Sequence, residues 1–255
     1  MFCNRFLFTL FLSVVLVACA PTPQVQNDKI QQAEAHYRMG VSHLQNDNPT
    51  MALQELLKGV AIAPQSDSIH AALGQAYQLK KAYVKAEEHY LKAIDISNKE
   101  PRYMNNIGSL YLDMQEWDKA IDYFGQAADD LLFLNPHVAL AGKGFAYLQK
   151  KDYQAALYEF EKAAEVSNRY PRAYFLQSEA LVGMGRTELA RKALEKAVNL
   201  APNYVLALYQ LGVMEMKAQE NDTAIDRFEK VVELAPTSDP GLKAADLLRA
   251  LKSAE

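Results

Sequence analysis

The stretch from Asp67 to Glu100 reads DSIHAALGQAYQLKKAYVKAEEHYLKAIDISNKE, and the stretch from Pro101 to Leu134 reads PRYMNNIGSLYLDMQEWDKAIDYFGQAADDLLFL. With columns numbered from the first position of each segment, the two agree at column 8 (Gly74, Gly108), column 20 (Ala86, Ala120) and column 24 (Tyr90, Phe124). Two small residues and one large aromatic residue therefore recur at a fixed spacing. Self-similarity at a period of about 34 residues is typical of a stacked repeat protein.

The same columns extend over most of the chain. Column 20 is alanine in six successive segments: Ala52, Ala86, Ala120, Ala156, Ala190 and Ala224. Column 24 is large in all six: Leu56, Tyr90, Phe124, Phe160, Leu194 and Phe228. Small residues let two helices approach closely, and the large residue fills the space that remains toward the next segment. The pattern predicts two antiparallel helices, A and B, in each segment, and an all-α fold.

This pattern resembles the tetratricopeptide-repeat (TPR) family across residues 33–238. The resemblance implies a right-handed solenoid of six helix-turn-helix repeats, at 33–66, 67–100, 101–134, 137–170, 171–204 and 205–238. The fifth repeat departs from the pattern, because Ser178 replaces glycine at column 8. Apolar residues at helical spacing then predict a capping helix over 239–255, which covers the open face of the last repeat: Leu242, Ala245, Leu248 and Leu251.

Two extra residues, around Asn135 and Pro136, interrupt the period between the third and fourth repeats. Directly before them stand four apolar residues, Leu131 to Leu134. One interpretation is a longer turn whose apolar side chains pack inward. The other is a deformed joint that changes the curvature of the solenoid or exposes an apolar ledge.

The segment 1–18 is predicted to be a lipoprotein signal peptide. The apolar run from Phe6 to Val17 is too short to span a bilayer, which takes about 20 residues. It ends in Leu16-Val17-Ala18-Cys19, which resembles a bacterial lipobox and implies that the thiol of Cys19 is acylated. The alternative is an ordinary signal peptide with a chance cysteine at its end. The segment 19–32 is polar with two prolines, which predicts a tether between the lipid and the repeats.

The residue after the acylated cysteine indicates a location. Ala20 stands where many lipoproteins retained in the inner membrane of Gram-negative bacteria have aspartate. The resemblance therefore implies the periplasmic face of the outer membrane. A Gram-positive origin would change this expectation.

Composition and motifs argue against several classes of function. The net charge of −4 is not that of a nucleic-acid binder. The two cysteines and five histidines show no spacing for a metal site, and no nucleotide-binding loop or nucleophile motif is present. The adjacent carboxylates of Asp129 and Asp130 fit a solvated helix end better than a catalytic pair. We therefore expect a protein that is not an enzyme, with no cofactor, no metal and no small-molecule substrate.

In TPR proteins helix A lines a concave groove, and the resemblance implies that columns 2, 5, 9 and 12 face it. Column 5 carries no lysine, so a clamp for a C-terminal carboxylate is not expected. The groove is apolar at both ends and in the fourth repeat, which favours an amphipathic helix or an extended apolar peptide as ligand. The alternative for each residue is packing against adjacent helices. The candidate partner-binding residues are Tyr37, Val41, Leu44, Phe145, Leu148, Phe175, Tyr209, Val213 and Met216.

A lipobox, a short tether and six repeats with a break after the third are together similar to the PilF/PilW-like lipoproteins of type IV pilus biogenesis. This resemblance implies a protein that assists localisation and assembly of the outer-membrane secretin, with the secretin or another envelope subunit as partner. The alternative function is an envelope adaptor for peptidoglycan hydrolases or for outer-membrane protein assembly.

Overall fold

The computed structural model describes residues 23–253, and within that range the chain forms thirteen α-helices and no strand. The predicted all-α fold is confirmed. No helix in the described range is both long enough and apolar enough to cross a membrane. The helices are α1 (Pro23–Gln45), α2 (Pro49–Ile62), α3 (Asp67–Leu79), α4 (Tyr83–Ile96), α5 (Pro101–Asp113), α6 (Trp117–Asp129), α7 (Pro136–Gln149), α8 (Tyr153–Val166), α9 (Pro171–Gly183), α10 (Thr187–Leu200), α11 (Val205–Lys217), α12 (Asn221–Leu234) and α13 (Asp239–Lys252).

The helices form two layers. Each helix packs against the next one along the chain, and the short connections between them make every neighbouring pair antiparallel. Most odd-numbered helices also contact the next odd-numbered helix: α1 with α3, α3 with α5, α5 with α7, α7 with α9, and α11 with α13. The even-numbered helices of the described range make no comparably close contacts with one another. The odd-numbered layer is therefore the inner, concave side of the solenoid.

The predicted small and large columns pack as a pair. All six alanines at column 20 are fully buried. A Cβ placed on Gly74 would lie 2.7 Å from the ring of Tyr90, and one on Gly144 would lie 2.6 Å from the ring of Phe160. The glycine is therefore required by the ring that covers it. In the fifth repeat the smaller Leu194 occupies column 24, and the buried Ser178 satisfies its hydroxyl by donating to the Phe175 carbonyl at 2.6 Å.

The turn inside each repeat has one conformation throughout the array. At column 15 the backbone has a positive φ, between 52° and 73°, in all six repeats: Asp47, Lys81, Gln115, Lys151, Gly185 and Gln219. In the second repeat Lys81 N–H donates to the Gln78 carbonyl at 2.8 Å, and Ala82 N–H donates to the Tyr77 carbonyl at 2.9 Å. These two bonds form a Schellman motif, which satisfies the free carbonyls at the end of helix A.

Apolar burial differs on the two sides of the 135–136 insertion. From α7 to α13 one continuous cluster runs from Leu140 to Ala244, here called the C-terminal core. From α1 to α7 the buried residues divide into three smaller clusters, centred on Leu56, Ala93 and Phe124. Helix α7 contributes to both sides, with Ala139 in the cluster of Phe124 and Leu140 in the C-terminal core. Helix α7 therefore connects the two regions of apolar burial, and we call it the joint.

The structure refines three expectations about the ends and the insertion. The segment predicted as a tether, 19–32, is helical from Pro23 onward. Helix α1 begins at Pro23, ten residues before the expected start of the first repeat. Residues 1–22, including the predicted signal peptide and Cys19, lie outside the described residues. In the capping helix Leu248 and Leu251 pack on the C-terminal core, whereas Leu242 is exposed. At the insertion, inward packing is wrong for Leu131, Leu132 and Leu134, which are 86–100% exposed.

Candidate partner-binding groove

Three cavities lie along the concave side, each between two odd-numbered helices. The first lies between α3 and α5 and has a volume of about 280 Å³. The second lies between α5 and α7, with about 350 Å³, and the third between α9 and α11, with about 480 Å³. Residues of columns 5, 9 and 12 recur in their walls, so helix A lines the groove as the TPR resemblance implied.

Polar side chains line the first cavity. Gln78 Nε2 donates to Asp113 Oδ2 at 2.7 Å, and the Tyr90 hydroxyl donates to Gln78 Oε1 at 3.0 Å. Burial raises the pKa of Tyr90, and the nearby carboxylate of Asp113 adds to this shift, so the hydroxyl stays protonated. Gln75 and Asn106 complete a surface of amides. Each amide group can both donate and accept hydrogen bonds, as a peptide main chain does.

The second cavity combines an apolar wall with charged groups. Val138, Ala141 and Phe145 of α7 form the wall, and Asp113 and Arg172 also line the cavity. Asn105 contributes a buried Oδ1 that has no hydrogen-bond partner within the protein. Leaving a buried carbonyl oxygen unpaired is costly, so a donor from a bound molecule would be favoured at this point.

The third cavity is the most apolar of the three. Val182 of α9 and Tyr209 and Val213 of α11 lie along it, and Val182 is half exposed. At its polar side Gln210 Nε2 donates to Glu179 Oε1 at 3.1 Å. An apolar side chain of a ligand would be desolvated here, with polar groups close by to orient its backbone.

The candidate residues fall into three groups. Phe145, Tyr209 and Val213 line the second and third cavities. Tyr37, Val41, Leu148 and Met216 are half-buried and pack against the apolar clusters beneath them. Leu44 and Phe175 are only 8% and 6% exposed, so they present little surface to a partner. Leu44 packs in the cluster around Leu56, and the ring of Phe175 lies 5.2 Å from that of Tyr204, just before α11.

Residues at columns 6, 10 and 13 also line the cavities, although they are not among the candidates expected from the sequence. Column 6 supplies Gly142 and Gln210, column 10 supplies Met214, and column 13 supplies Asp113 and Lys217. Columns 6 and 13 flank columns 5 and 12 on the same helical face. A wider stripe of columns would have found them.

The described residues offer no support for a metal centre. No group of three or more His, Cys, Asp or Glu side chains between residues 23 and 253 is arranged to hold a metal ion.

Models of the tetratricopeptide repeat match residues 68–100, 105–173, 147–212 and 206–238. Together these matches run from the second repeat to the sixth. The chain is a tetratricopeptide-repeat protein. Two of the matched segments agree to within a residue with repeats expected from the sequence, at 67–100 and 205–238. TPR proteins are in general scaffolds rather than catalysts.

Among relatives, this TPR protein is similar to the type IV pilus assembly protein PilF of Pseudomonas aeruginosa. The two are 28% identical over 138 residues, which is 54% of this chain and 55% of PilF. The matched region thus spans about half the length of that relative. The solved structure of Pseudomonas aeruginosa PilF shares the fold with a TM-score of 0.71 and 22% identity, covering 85% of this chain and 97% of PilF. The crystal structure of PilW, a type IV pilus biogenesis factor, gives 0.71 and 18%, covering 87% and 99%.

Proposed function

We propose that this chain is a non-enzymatic scaffold of type IV pilus biogenesis, anchored by lipid at the periplasmic face of the outer membrane, where it assists localisation and assembly of the secretin. The observation that carries the proposal is the concave groove with three cavities, on a solenoid that matches nearly the whole of the PilF and PilW structures. The names of those relatives supply the pilus context. The groove supplies a means of binding.

The ligand is proposed to be an extended segment of the partner that carries apolar side chains. The cavities are of a few hundred Å³ each; the first two meet at Ser109 and Asp113, and the third is apart from them, which suits single side chains better than the continuous stripe of a helix. The amides of the first cavity match a peptide main chain, and Phe145 and Tyr209 offer apolar contact farther along. Binding energy in such surfaces concentrates in a few large side chains.

The groove is tested by substitution in a strain that depends on the chromosomal copy. We expect deletion of the gene to lower the amount of secretin multimer in outer membranes and to abolish pilus-dependent motility. Val182→Asp and Tyr209→Ala should reproduce part of this loss, because both residues line the third cavity. Tyr158→Ala is the matched control, since Tyr158 is 57% exposed on α8, in the outer layer. Circular dichroism verifies that each variant is folded.

Two outcomes would contradict the proposal in different ways. If the deletion leaves secretin multimers and motility unchanged, the pilus role is wrong, and the adaptor function in peptidoglycan hydrolysis or outer-membrane protein assembly takes its place. If the deletion has an effect but both groove variants behave like Tyr158→Ala, the scaffold role stands and the contact lies outside the groove.

The lipid anchor has its own test. Cys19→Ser should release the protein from the membrane fraction, because acyl chains hold a protein at a bilayer in proportion to their buried methylene groups. A wild-type protein that fractionates with the soluble periplasmic proteins would contradict the anchor without touching the groove.

A further inference from the structure

The connection between α6 and α7, residues 130–135, is unlike the other connections between repeats. Leu131, Leu132 and Leu134 are 100%, 86% and 90% exposed. The corresponding connections elsewhere are short polar or proline-containing turns, such as 63–66 and 235–238. Three leucines in one protruding turn form an apolar patch that a protein facing only water would not favour. We call residues 131–134 the leucine ledge.

The leucine ledge is held in place by its own contacts. Asp130 Oδ1 accepts the Leu132 N–H at 2.8 Å, and the Asp130 carbonyl accepts the Phe133 N–H at 3.2 Å. Phe133 turns inward and packs on the cluster that contains Phe124. The Phe133 side chain thus attaches the turn to the core, while the three leucines are exposed to solvent.

The ledge lies on the edge of the solenoid from which the chain's N-terminus projects. All odd-numbered helices run in the same direction, so the connection that precedes α7 lies on the edge where α1 begins. The ten residues by which α1 exceeds the other helices A extend it about 15 Å beyond that edge. Cys19 stands four residues before α1. An acylated Cys19 would therefore bring the edge that carries the ledge toward the bilayer.

The charges beside the ledge fit an anionic bilayer. The preceding turn of the same edge presents the exposed side chains of Lys99 and Arg102, and the following turn presents those of Arg169 and Arg172. Glu100, Asp129 and Asp130 oppose them, so the basic side chains of these turns outnumber the carboxylates by four to three. Basic side chains on both sides of exposed leucines are typical of surfaces that bind lipid interfaces.

We infer that the leucine ledge inserts into the interfacial layer of the same anionic bilayer to which Cys19 is anchored. This second contact fixes the tilt of the solenoid, which one anchored residue alone cannot do. The five helix intervals between α1 and the ledge span at most about 50 Å, so the solenoid must tilt by at least about 17° to compensate for the extra length of α1. The inference rests on the lipid anchor of the proposed function and is independent of what the groove binds.

Depth-dependent quenching tests the ledge in the acylated full-length protein. The protein is reconstituted into phosphatidylethanolamine–phosphatidylglycerol vesicles, with or without brominated acyl chains, which quench tryptophan fluorescence within the bilayer. Trp117 is first replaced in Trp117→Tyr, since tyrosine stands at its column in the second and fourth repeats. Leu132→Trp then places the only tryptophan on the ledge. Val84→Trp is the matched control, because Val84 is 78% exposed near the start of α4, at the opposite edge.

The expected result is a fluorescence loss of about twofold or more at position 132, with a blue shift, and little change at position 84. Vesicles of neutral phosphatidylcholine should give weaker quenching at position 132. Equal quenching at both positions, or none at position 132, overturns the inference. A blue shift at position 132 that requires added envelope protein also overturns it, since the occupant is then a protein.

Failure of the anchor is distinguished by two measurements on the same samples. Mass spectrometry reports acylation of Cys19, and flotation reports retention on vesicles. If Cys19 is unmodified and flotation is lost, the anchor of the proposed function is wrong. The inference, which rests on that anchor, then falls with it, whereas an acylated protein that floats without quenching at position 132 overturns the ledge alone.

Discussion

The two halves of the solenoid, on either side of residues 135–136, are built on the same repeat but bury it differently. From α7 to α13 the C-terminal core passes without interruption through every helix interface. From α1 to α7 the clusters are smaller, and polar groups meet between helices. His70 Nδ1 lies 2.9 Å from His89 Nδ1, and the Tyr111 hydroxyl donates to Glu87 Oε1 at 2.6 Å. The groove follows the same division, with amides in the first cavity and apolar side chains in the third.

The difference shows that one repeat pattern can give two degrees of coupling between neighbouring repeats. In a stacked array, stability is approximately the sum of the stability of each repeat and the coupling across each interface. A continuous apolar interface couples neighbours strongly, so we expect α7–α13 to open as a single unit. The divided clusters of α1–α6 couple less, so that half should open in steps, with the first repeat among the earliest. The half that we expect to be more strongly coupled, α7–α13, also carries the apolar part of the groove.

The largest expected effect comes from truncating column 24 in each half. Phe160→Ala should cost about 3–5 kcal/mol, because its ring is fully buried and the cavity left behind cannot close. Hydrogen exchange should then rise across α7–α13 together. Leu56→Ala should cost about 2–5 kcal/mol, with faster exchange confined to α1–α3. Exchange that spreads equally far from both sites would contradict the division into two halves.

A buried ion pair provides the second test in the C-terminal half. Lys143 Nζ lies 2.8 Å from Glu159 Oε1, and the Glu159 side chain is only 6% exposed. Burial is the largest single influence on the pKa of Lys143 and acts to lower it, but the hydrogen bond and the charge attraction of Glu159, with smaller contributions from Tyr147 and Asp129, together raise the pKa above its usual value. Lys143→Met should cost roughly 3 kcal/mol, because Glu159 is left buried without its partner.

The double variant Lys143→Met with Glu159→Leu should recover most of that stability in a urea titration, since both charges are then gone. Lys150→Met is the control, because its ion pair with Asp118 is at the surface and should contribute little. No recovery in the double variant would mean that the loss came from packing rather than from the stranded carboxylate.

The joint between the halves is tested by two glycines. A Cβ on Gly142 would lie 2.5 Å from the ring of Phe124, so Gly142→Ala should cost about 1–3 kcal/mol through overpacking. Gly125 lies inside α6, and a Cβ placed on it would be 4.0 Å from the nearest neighbouring atom. Gly125→Ala should therefore stabilise the folded protein by about 0.5–1 kcal/mol. Thermal unfolding of both variants measures the sign. A stabilising Gly142→Ala would show that α5, α6 and α7 are more loosely packed than described.

The smallest effect is a difference in pH dependence between the halves. Burial lowers the pKa of His89, and the nearby His70 adds to this shift. As pH falls below about 6.5, the unfolded chain takes up a proton that folded His89 resists, and the N-terminal half loses stability. Burial raises the pKa of Glu215 in α11, although Arg227 opposes the shift. Its contribution to stability therefore increases as pH falls through the raised pKa.

Hydrogen exchange at pH 7 and pH 5.5 should consequently show α3 and α4 loosening more than α11 and α12. His89→Phe should remove much of the loosening, because the ring stacks on Tyr77 and phenylalanine preserves that contact. An unchanged pH dependence in this variant would assign the effect to another group, with His137 next, since burial lowers its pKa too.

The sequence predicted the parts of this fold that recur. Column 20 and column 24 are visible because packing between two helices imposes the same residue sizes six times, and the structure confirms them. The turn at column 15 was not predicted from the sequence. Lys81 and Gln115 have no preference for a positive φ, and the helices on both sides impose the turn. Tertiary context also decided the burial of Leu44 and Phe175.

The leucine ledge marks a different limit. The four apolar residues at 131–134 are compatible with inward and with outward packing. The direction of packing depends on which side chain the turn directs toward Phe124. That side chain is Phe133 alone. Sequence periodicity carries no information on such a choice, because the segment occurs once and has no equivalent in the other repeats.

The common turn has a consequence for protein engineering. In the first three repeats, column 15 is occupied by Asp47, Lys81 and Gln115, which follow one another at one constant interval and share the same left-handed geometry. A cassette cut at two of these turns therefore ends in matching conformations, and it can be duplicated to lengthen the array without a designed linker. The interval from Gln115 to Lys151 contains the two-residue insertion and the leucine ledge, so copying it would add a second ledge and a second joint. Array length and membrane contact could thus be varied separately in one scaffold.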